Sequence, residues 1–257
     1  MRKVVNYDEV APTFNVRYAV NPLPGVAQHL RTLAQAAGGG RVLEAGCGTG
    51  RWLAELQPLA GQVIGLDLSR GMLRGAQARE LPRVALAQGQ GGELPFASGS
   101  LDMLYSVNAL HHFPRPEAFI AEARRLLKPG GVLAIIGMDP RARPARWYLY
   151  DYFPETLPAD LERFPSAGTV IDWMLAAGFA TAGVQRVEHL AGTHTGRAVL
   201  ADHFLQKNGT SQLTLLSDEA YAAGLARIRR DLDEAEARGE TLKFEIDIWM
   251  TAIVAEG

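Results

Sequence analysis

The segment Val42-Leu43-Glu44-Ala45-Gly46-Cys47-Gly48-Thr49-Gly50-Arg51 holds the residues best suited to cradle a ligand. An aliphatic run leads into glycine at alternate positions, the pattern of a strand entering a turn before a helix. Glycine there permits unusual backbone angles and lets N–H groups approach a ligand with no Cβ in the way. A bare turn needs fewer than three glycines in five residues. Two nucleotide readings fail on spacing: the NAD fingerprint needs glycine where Arg51 stands, and the phosphate loop needs a Lys-Ser/Thr pair that is absent. Downstream, Asp67 ends the run Val63-Ile64-Gly65-Leu66-Asp67. A carboxylate at the tip of a second strand, about twenty residues past the first glycine, can accept bonds from both ribose hydroxyls. Ser69 can cap the next helix by itself, which leaves Asp67 for a ligand. Loop and acid together point to an adenosine-containing cofactor. No sequence feature supplies a partner base for Cys47, so it reads as packing rather than as a nucleophile.

These residues need a scaffold, and the chain has the length for one. It has 257 residues, of which 47% are hydrophobic and 21% charged, with 26 Lys+Arg against 28 Asp+Glu. The near balance argues against nucleic acid as a main partner, since neutralising phosphates takes clustered cations. One cysteine excludes a disulfide framework and a zinc site of several thiolates. No apolar run approaches the roughly 20 residues of a membrane span, and the start is too polar for a signal-peptide core. A soluble, cytoplasmic protein is expected. From Arg41 onward, short β-rich runs (41–45, 62–66, 83–87, 101–107 and 131–137) alternate with helical stretches at 52–57, 69–79 and 116–127. That alternation predicts a parallel sheet built through right-handed crossovers. Before it, residues up to 36 look helical but are broken by Pro12, Pro22 and Pro24. Beyond it, a helix is predicted over Thr169 to Ala177, ended by Gly178, and another from a Ser217 cap to Gly239, with Tyr221, Leu225, Ile228 and Leu232 as its apolar stripe. Alternation from Leu242 to Thr251 predicts a final antiparallel strand.

With the elements in place, a family resemblance emerges. Glu44 to Gly50 resembles the first motif of class I S-adenosylmethionine-dependent methyltransferases, and Val63 to Ser69 with Met72-Leu73 resembles their second. Gly89-Gln90-Gly91-Gly92-Glu93-Leu94-Pro95-Phe96 resembles the loop after their third strand. Ser106 to Phe113 and Glu122 to Gly131 resemble the segments around strands four and five. The likeness is closest to small-molecule enzymes related to ubiquinone and menaquinone biosynthesis. It implies that Gly46, Gly48 and Gly50, with Cys47 and Thr49 between them, pass close to the methionine moiety, and that Glu44 helps to position it. Asp67 would bind the ribose, Leu68 and Met72 would flank adenine, and Val107 would lie beside the cofactor. Where the family usually has aspartate and a small residue, Gln90-Gly91 stands; Gln90 can accept the adenine amino bond without charge, unless Glu93 takes that role.

For the chemistry, His111 and His112 follow strand four, where a histidine could take a proton from an acceptor or orient it; the plainer alternative is that they pack and cap. Tyr7, Phe14, Arg17 and Tyr18 lie in what relatives use as a lid, with Tyr18 the first choice for closing the site. Trp147, Tyr148, Tyr150, Tyr152 and Phe153 suit an apolar or aromatic acceptor, although such clusters often form lid core. Arg141, Arg143 and Arg146 could meet an anionic substrate but read better as a solvated loop. His194 and His203, in the connection before the last strand, lack a third metal ligand, and no metal is expected.

The resemblance thus implies an α/β, seven-stranded, Rossmann-like fold, mostly parallel with an antiparallel last strand. Residues 1–36 would form a helical lid, 37–140 the S-adenosylmethionine-binding core, and 141–257 the substrate-cover helices with the last two strands. The expected activity is methyl transfer from S-adenosylmethionine to a small, apolar or aromatic acceptor, leaving S-adenosylhomocysteine, by a monomer or homodimer. The alternative is a non-catalytic protein that binds the same cofactor as a regulator or accessory subunit.

Overall fold

Aliphatic side chains dominate the predicted runs, and all but the edge strand at 84–88 are covered on both faces. In the computed structural model these runs form β1 (Arg41–Ala45), β2 (Gln62–Asp67), β3 (Val84–Gln88), β4 (Leu101–Val107) and β5 (Leu127–Met138). They are parallel, in the spatial order β3-β2-β1-β4-β5. The structure describes residues 5–92, 94–142 and 145–257. Among the described residues three α-helices precede the sheet: α1 (Tyr7–Val10), α2 (Val16–Val20) and α3 (Pro24–Ala36). The crossovers are α4 (Arg51–Leu56), α5 (Arg70–Gln77) and α6 (Pro116–Leu126). Leu30, Leu53 and Leu56 pack one sheet face, and Phe119, Ile120 and Leu126 the other; all are fully buried. Each such side chain contributes about 1.5–3 kcal/mol.

After β5 come β6 (Ala145–Trp147), α7 (Tyr148–Tyr152), α8 (Thr156–Arg163), α9 (Ala167–Ala176), β7 (Thr181–Thr195), α10 (Ser211–Thr214), α11 (Asp218–Ala237) and β8 (Lys243–Glu256). The predicted last strand therefore exists and runs on to Glu256, antiparallel to β5. Among the described residues the sheet has eight strands, because the three-residue β6 continues the line of β5 along the same edge of β8. The other edge of β8 belongs to β7 over its whole length. The resemblance implies two last strands within residues 141–257, but the pattern places only the final one, and the stretch that forms β7 reads as a connection. Its side chains are mostly exposed, so it lacks the apolar alternation that marks β8.

A bulge at Val187 shifts the β7–β8 register between Arg186 and Glu188. The Glu188 carboxylate then accepts the Gly25 N–H at 2.6 Å and the Val26 N–H at 3.3 Å, capping α3 from the sheet. The aromatic run from Trp147 to Phe153 is the core of the C-terminal cap. Trp147, Tyr148, Leu149 and Phe153 pack with Leu213, Ile228, Leu232 and Phe244.

Candidate active site

Crossovers from β1 go outward through β2 to β3, whereas β4 and β5 lie on the other side of β1. A crevice opens where the order reverses, at the C-terminal ends of the strands. There the structure has a cavity of about 640 Å³, within the range of small-molecule sites. Glu44, Gly46, Cys47, Gly48, Asp67, Leu68, Met72, Gln90, Gly91, Val107, Tyr18, His111 and His112 all line it. Thr49 and Gly50 stand off its wall. The Thr49 hydroxyl donates to Asn15 at 2.6 Å, and Gly50, with φ +73°, is the N-cap of α4 against Ala76. Glu93 and Arg143 lie outside the described residues.

The floor is rigid. Gly46 has φ +76° and Gly48 φ +52°, a region that costs other residues strain. A Cβ on Gly46 would also stand 2.4 Å from that of Ala109. Asp67 accepts the Gly48 N–H and the Ser69 N–H, each at 2.8 Å, while the Ser69 hydroxyl caps α5 at the Met72 N–H. Burial raises the Asp67 carboxyl above its ordinary value, against the pull of those N–H groups. Glu44, 1% exposed, accepts from the Tyr105 hydroxyl at 3.1 Å. Burial pushes it well above the usual carboxylate range.

The N-terminal segment covers this floor. Asp8 accepts the Ser69 hydroxyl at 2.8 Å and the Gly71 N–H at 2.5 Å, which fastens α1 to the start of α5. These bonds hold the Asp8 carboxyl below its ordinary value. The Tyr7 hydroxyl meets His112 Nε2 at 2.6 Å. Burial raises Tyr7 to about 12, so at neutral pH it is a phenol within hydrogen-bond reach of the imidazole. His111 stacks on Phe164 with centroids 3.8 Å apart. None of the aromatics from Trp147 to Phe153 reaches the cavity wall.

With this geometry in hand, comparison with known proteins is decisive. A family model described as a methyltransferase domain matches residues 43–135. A demethylmenaquinone methyltransferase of Renibacterium salmoninarum is 31% identical over 164 residues, 62% of this chain and 69% of that protein. The chain belongs to the S-adenosylmethionine-dependent methyltransferases. A trans-aconitate 2-methyltransferase of Deinococcus radiodurans is 40% identical over 111 residues, 42% of each protein. The chain spans less than half the length of several curated relatives it matches, 47% and 42% for two of them. In fold it is similar to an Anabaena variabilis protein assigned as a methyltransferase of antibiotic biosynthesis. That match is 22% identical with TM-score 0.68, covering 90% of this chain and 96% of that one.

The methyltransferase site has donors and acceptors that fit S-adenosylmethionine. Gly46 and Gly48 leave the loop backbone open, Asp67 keeps lone pairs beyond its bonds to Gly48 and Ser69, and Met72 and Leu68 offer apolar surface in the wall. Several wall residues had no role assigned from sequence. Arg163 sits on α8, bonded to Asp160 at 2.7 Å and to the Ser211 hydroxyl at 2.7 Å. Its spacing from Asp160 reads as an ordinary surface pair, and only packing of the cap turns it inward. Asn108, with φ +52° just after β4, also lines the cavity; that backbone angle had no signal in a residue type common in loops. Arg141 faces away, donating to the Phe164 carbonyl at 2.8 Å, and Arg146 pairs with Glu245 at the surface. His194 stands on β7, 3.2 Å from Asp202, and not in a connection; His203 lies in a 3-10 turn, its ring against Phe204. Among the described residues no three metal-ligating side chains converge, and no helix is long and apolar enough to cross a membrane.

Proposed function

We propose that this methyltransferase methylates a small molecule with an apolar or aromatic body, acting as a monomer or homodimer in the cytoplasm, with no nucleic-acid partner. The observation that carries the reading is that the glycine loop, Asp67 and the Tyr7–His112 pair share one cavity wall at the sheet's switch point. S-adenosylmethionine, when bound, supplies a methyl group on a sulfonium, so that one bond to carbon breaks as the acceptor's forms. Residues 37–140 hold the cofactor: Asp67 takes the ribose hydroxyls, Gln90 the adenine edge, Leu68 and Met72 its faces, and Glu44 with Gly46 and Gly48 the methionine end. Residues 1–36, through Tyr7 and Tyr18, close over it and exclude water. Residues 141–257 cover the acceptor, with Phe204 and Leu215 giving apolar wall. A proton released by the acceptor passes to the Tyr7 oxygen as the Tyr7 proton moves to His112 Nε2. Burial of the phenol supports that direction, since it keeps Tyr7 protonated at rest.

Thermal unfolding with S-adenosylhomocysteine, S-adenosylmethionine and NAD in parallel tests the cofactor site. A ligand at 100 times its Kd adds about 2.7 kcal/mol to the native state. Stabilisation by the two sulfur nucleosides alone is expected; a response to NAD alone would overturn the reading.

A further inference from the structure

Two guanidinium groups, Arg17 and Arg163, stand in the cavity wall among the described residues, and they are not equivalent. Arg163 is balanced by Asp160, which also accepts from Tyr150 and Gln212 at 2.8 Å each. Arg17 has no carboxylate within ion-pair distance among the described residues. It donates to the Gly209 carbonyl at 3.1 Å, lies 4.0 Å over the Phe14 ring, and keeps a buried Nε with no hydrogen-bond partner. A half-buried cation without a counter-charge is costly unless something else supplies the charge. The acids on the same wall are committed elsewhere. Asp8 serves Ser69 and Gly71, Asp67 serves Gly48 and Ser69, and Glu44 is held by Tyr105. Arg17 also acts on the Tyr7 phenol, which lies against His112, so its charge, unlike that of the Asp160-paired Arg163, faces the proposed proton path uncompensated.

We propose that the acceptor carries a carboxylate on its apolar body and that Arg17, the guanidinium in this wall with no carboxylate partner among the described residues, reads this group. The geometry of a guanidinium suits a bidentate carboxylate. The apolar side chains of Phe204, Leu215, Leu190 and Met250 on the wall suit the body. The inference rests on the methyltransferase reading. The methionine end of the cofactor is the other source of a carboxylate, and the test separates the two.

The test is calorimetry on the full chain, first with S-adenosylhomocysteine alone, then saturated with it and titrated with matched acids and amides. The pairs are benzoate with benzamide, 2-naphthoate with 2-naphthamide, and decanoate with decanamide. At least one acid should bind tenfold or more tightly than its amide. In Arg17→Met that preference should fall to within twofold while S-adenosylhomocysteine affinity changes less than threefold; Arg17→Lys should restore part of the preference. No preference in any pair, including no binding at all, overturns the proposal. So does a tenfold or greater loss of S-adenosylhomocysteine affinity in Arg17→Met, which would assign Arg17 to the cofactor's carboxylate. Failure of the wild type to bind S-adenosylhomocysteine would instead sink the cofactor reading itself.

Discussion

Asp67 is held by backbone N–H groups at both carboxylate oxygens, so it is aimed before any ligand arrives. A hydrogen bond to a charged group is worth about 1.5–3 kcal/mol, roughly a factor of ten to a hundred in affinity. Asp67→Ala should therefore weaken S-adenosylhomocysteine binding by at least about tenfold, while far-UV circular dichroism stays native. A variant that binds as tightly as wild type would remove Asp67 from the site. Glu44 makes a different prediction, through pH. Burial raises its carboxyl in the folded protein well above the ordinary 4.5, so ionisation opposes folding. Its favourable contribution is complete below the unfolded-state value and is lost as pH rises through the native one. The unfolding free energy of wild type minus that of Glu44→Gln should fall in urea titrations as pH rises above the ordinary carboxylate value of 4.5. A flat or rising difference would contradict the burial argument.

At the scale of elements, the bulge in β7 joins the sheet edge to the N-terminus of α3. A Cβ on Gly25 would lie 2.0 Å from the Val187 carbonyl oxygen, a backbone atom that cannot swing aside. Gly25→Ala should cost about 1–3 kcal/mol by overpacking. Glu188→Ala should cost about 1 kcal/mol as a lost helix cap. Denaturant midpoints check both, and the double variant should be less than additive, because the two changes act on one contact. If Gly25→Ala is neutral, the close approach of α3 to the bulge is not as described.

Across the whole molecule, the cavity lies between three parts of the chain: the sheet, the N-terminal segment and the C-terminal cap. Asp8, Tyr7, Asn15 and Arg17 each bond across those boundaries, to α5, His112, Thr49 and Gly209. If residues 1–36 close over the cofactor as proposed, occupancy must slow their opening. Cleavage by trypsin at Arg17 should then slow as S-adenosylhomocysteine is added, by up to about a hundredfold at 100 times its Kd. Cleavage at Arg17 unaffected by saturating ligand would show that the segment moves independently of the site. Much of this molecule was legible in its sequence. Three glycines around Cys47, an acid at Asp67 and a capping Ser69 demand one local geometry each, because backbone angle, strand end and helix start are set by neighbours in the chain. The strands β1, β2, β4 and β5 declared themselves by aliphatic runs that burial on both faces requires, whereas the partly exposed edge strand β3 showed itself only by its place in the alternation. What only the tertiary structure decided depends on contacts between distant segments. β7 is a strand because β8 pairs with it, not because of its own pattern. The aromatics after β5 turn into cap core, while Arg163, sixteen or fewer residues along, turns toward the cavity. Thr49 leaves the wall because Asn15 takes its hydroxyl. Local preference selects an element, but the face that an element buries is chosen by what packs against it, and that partner is far away in the chain.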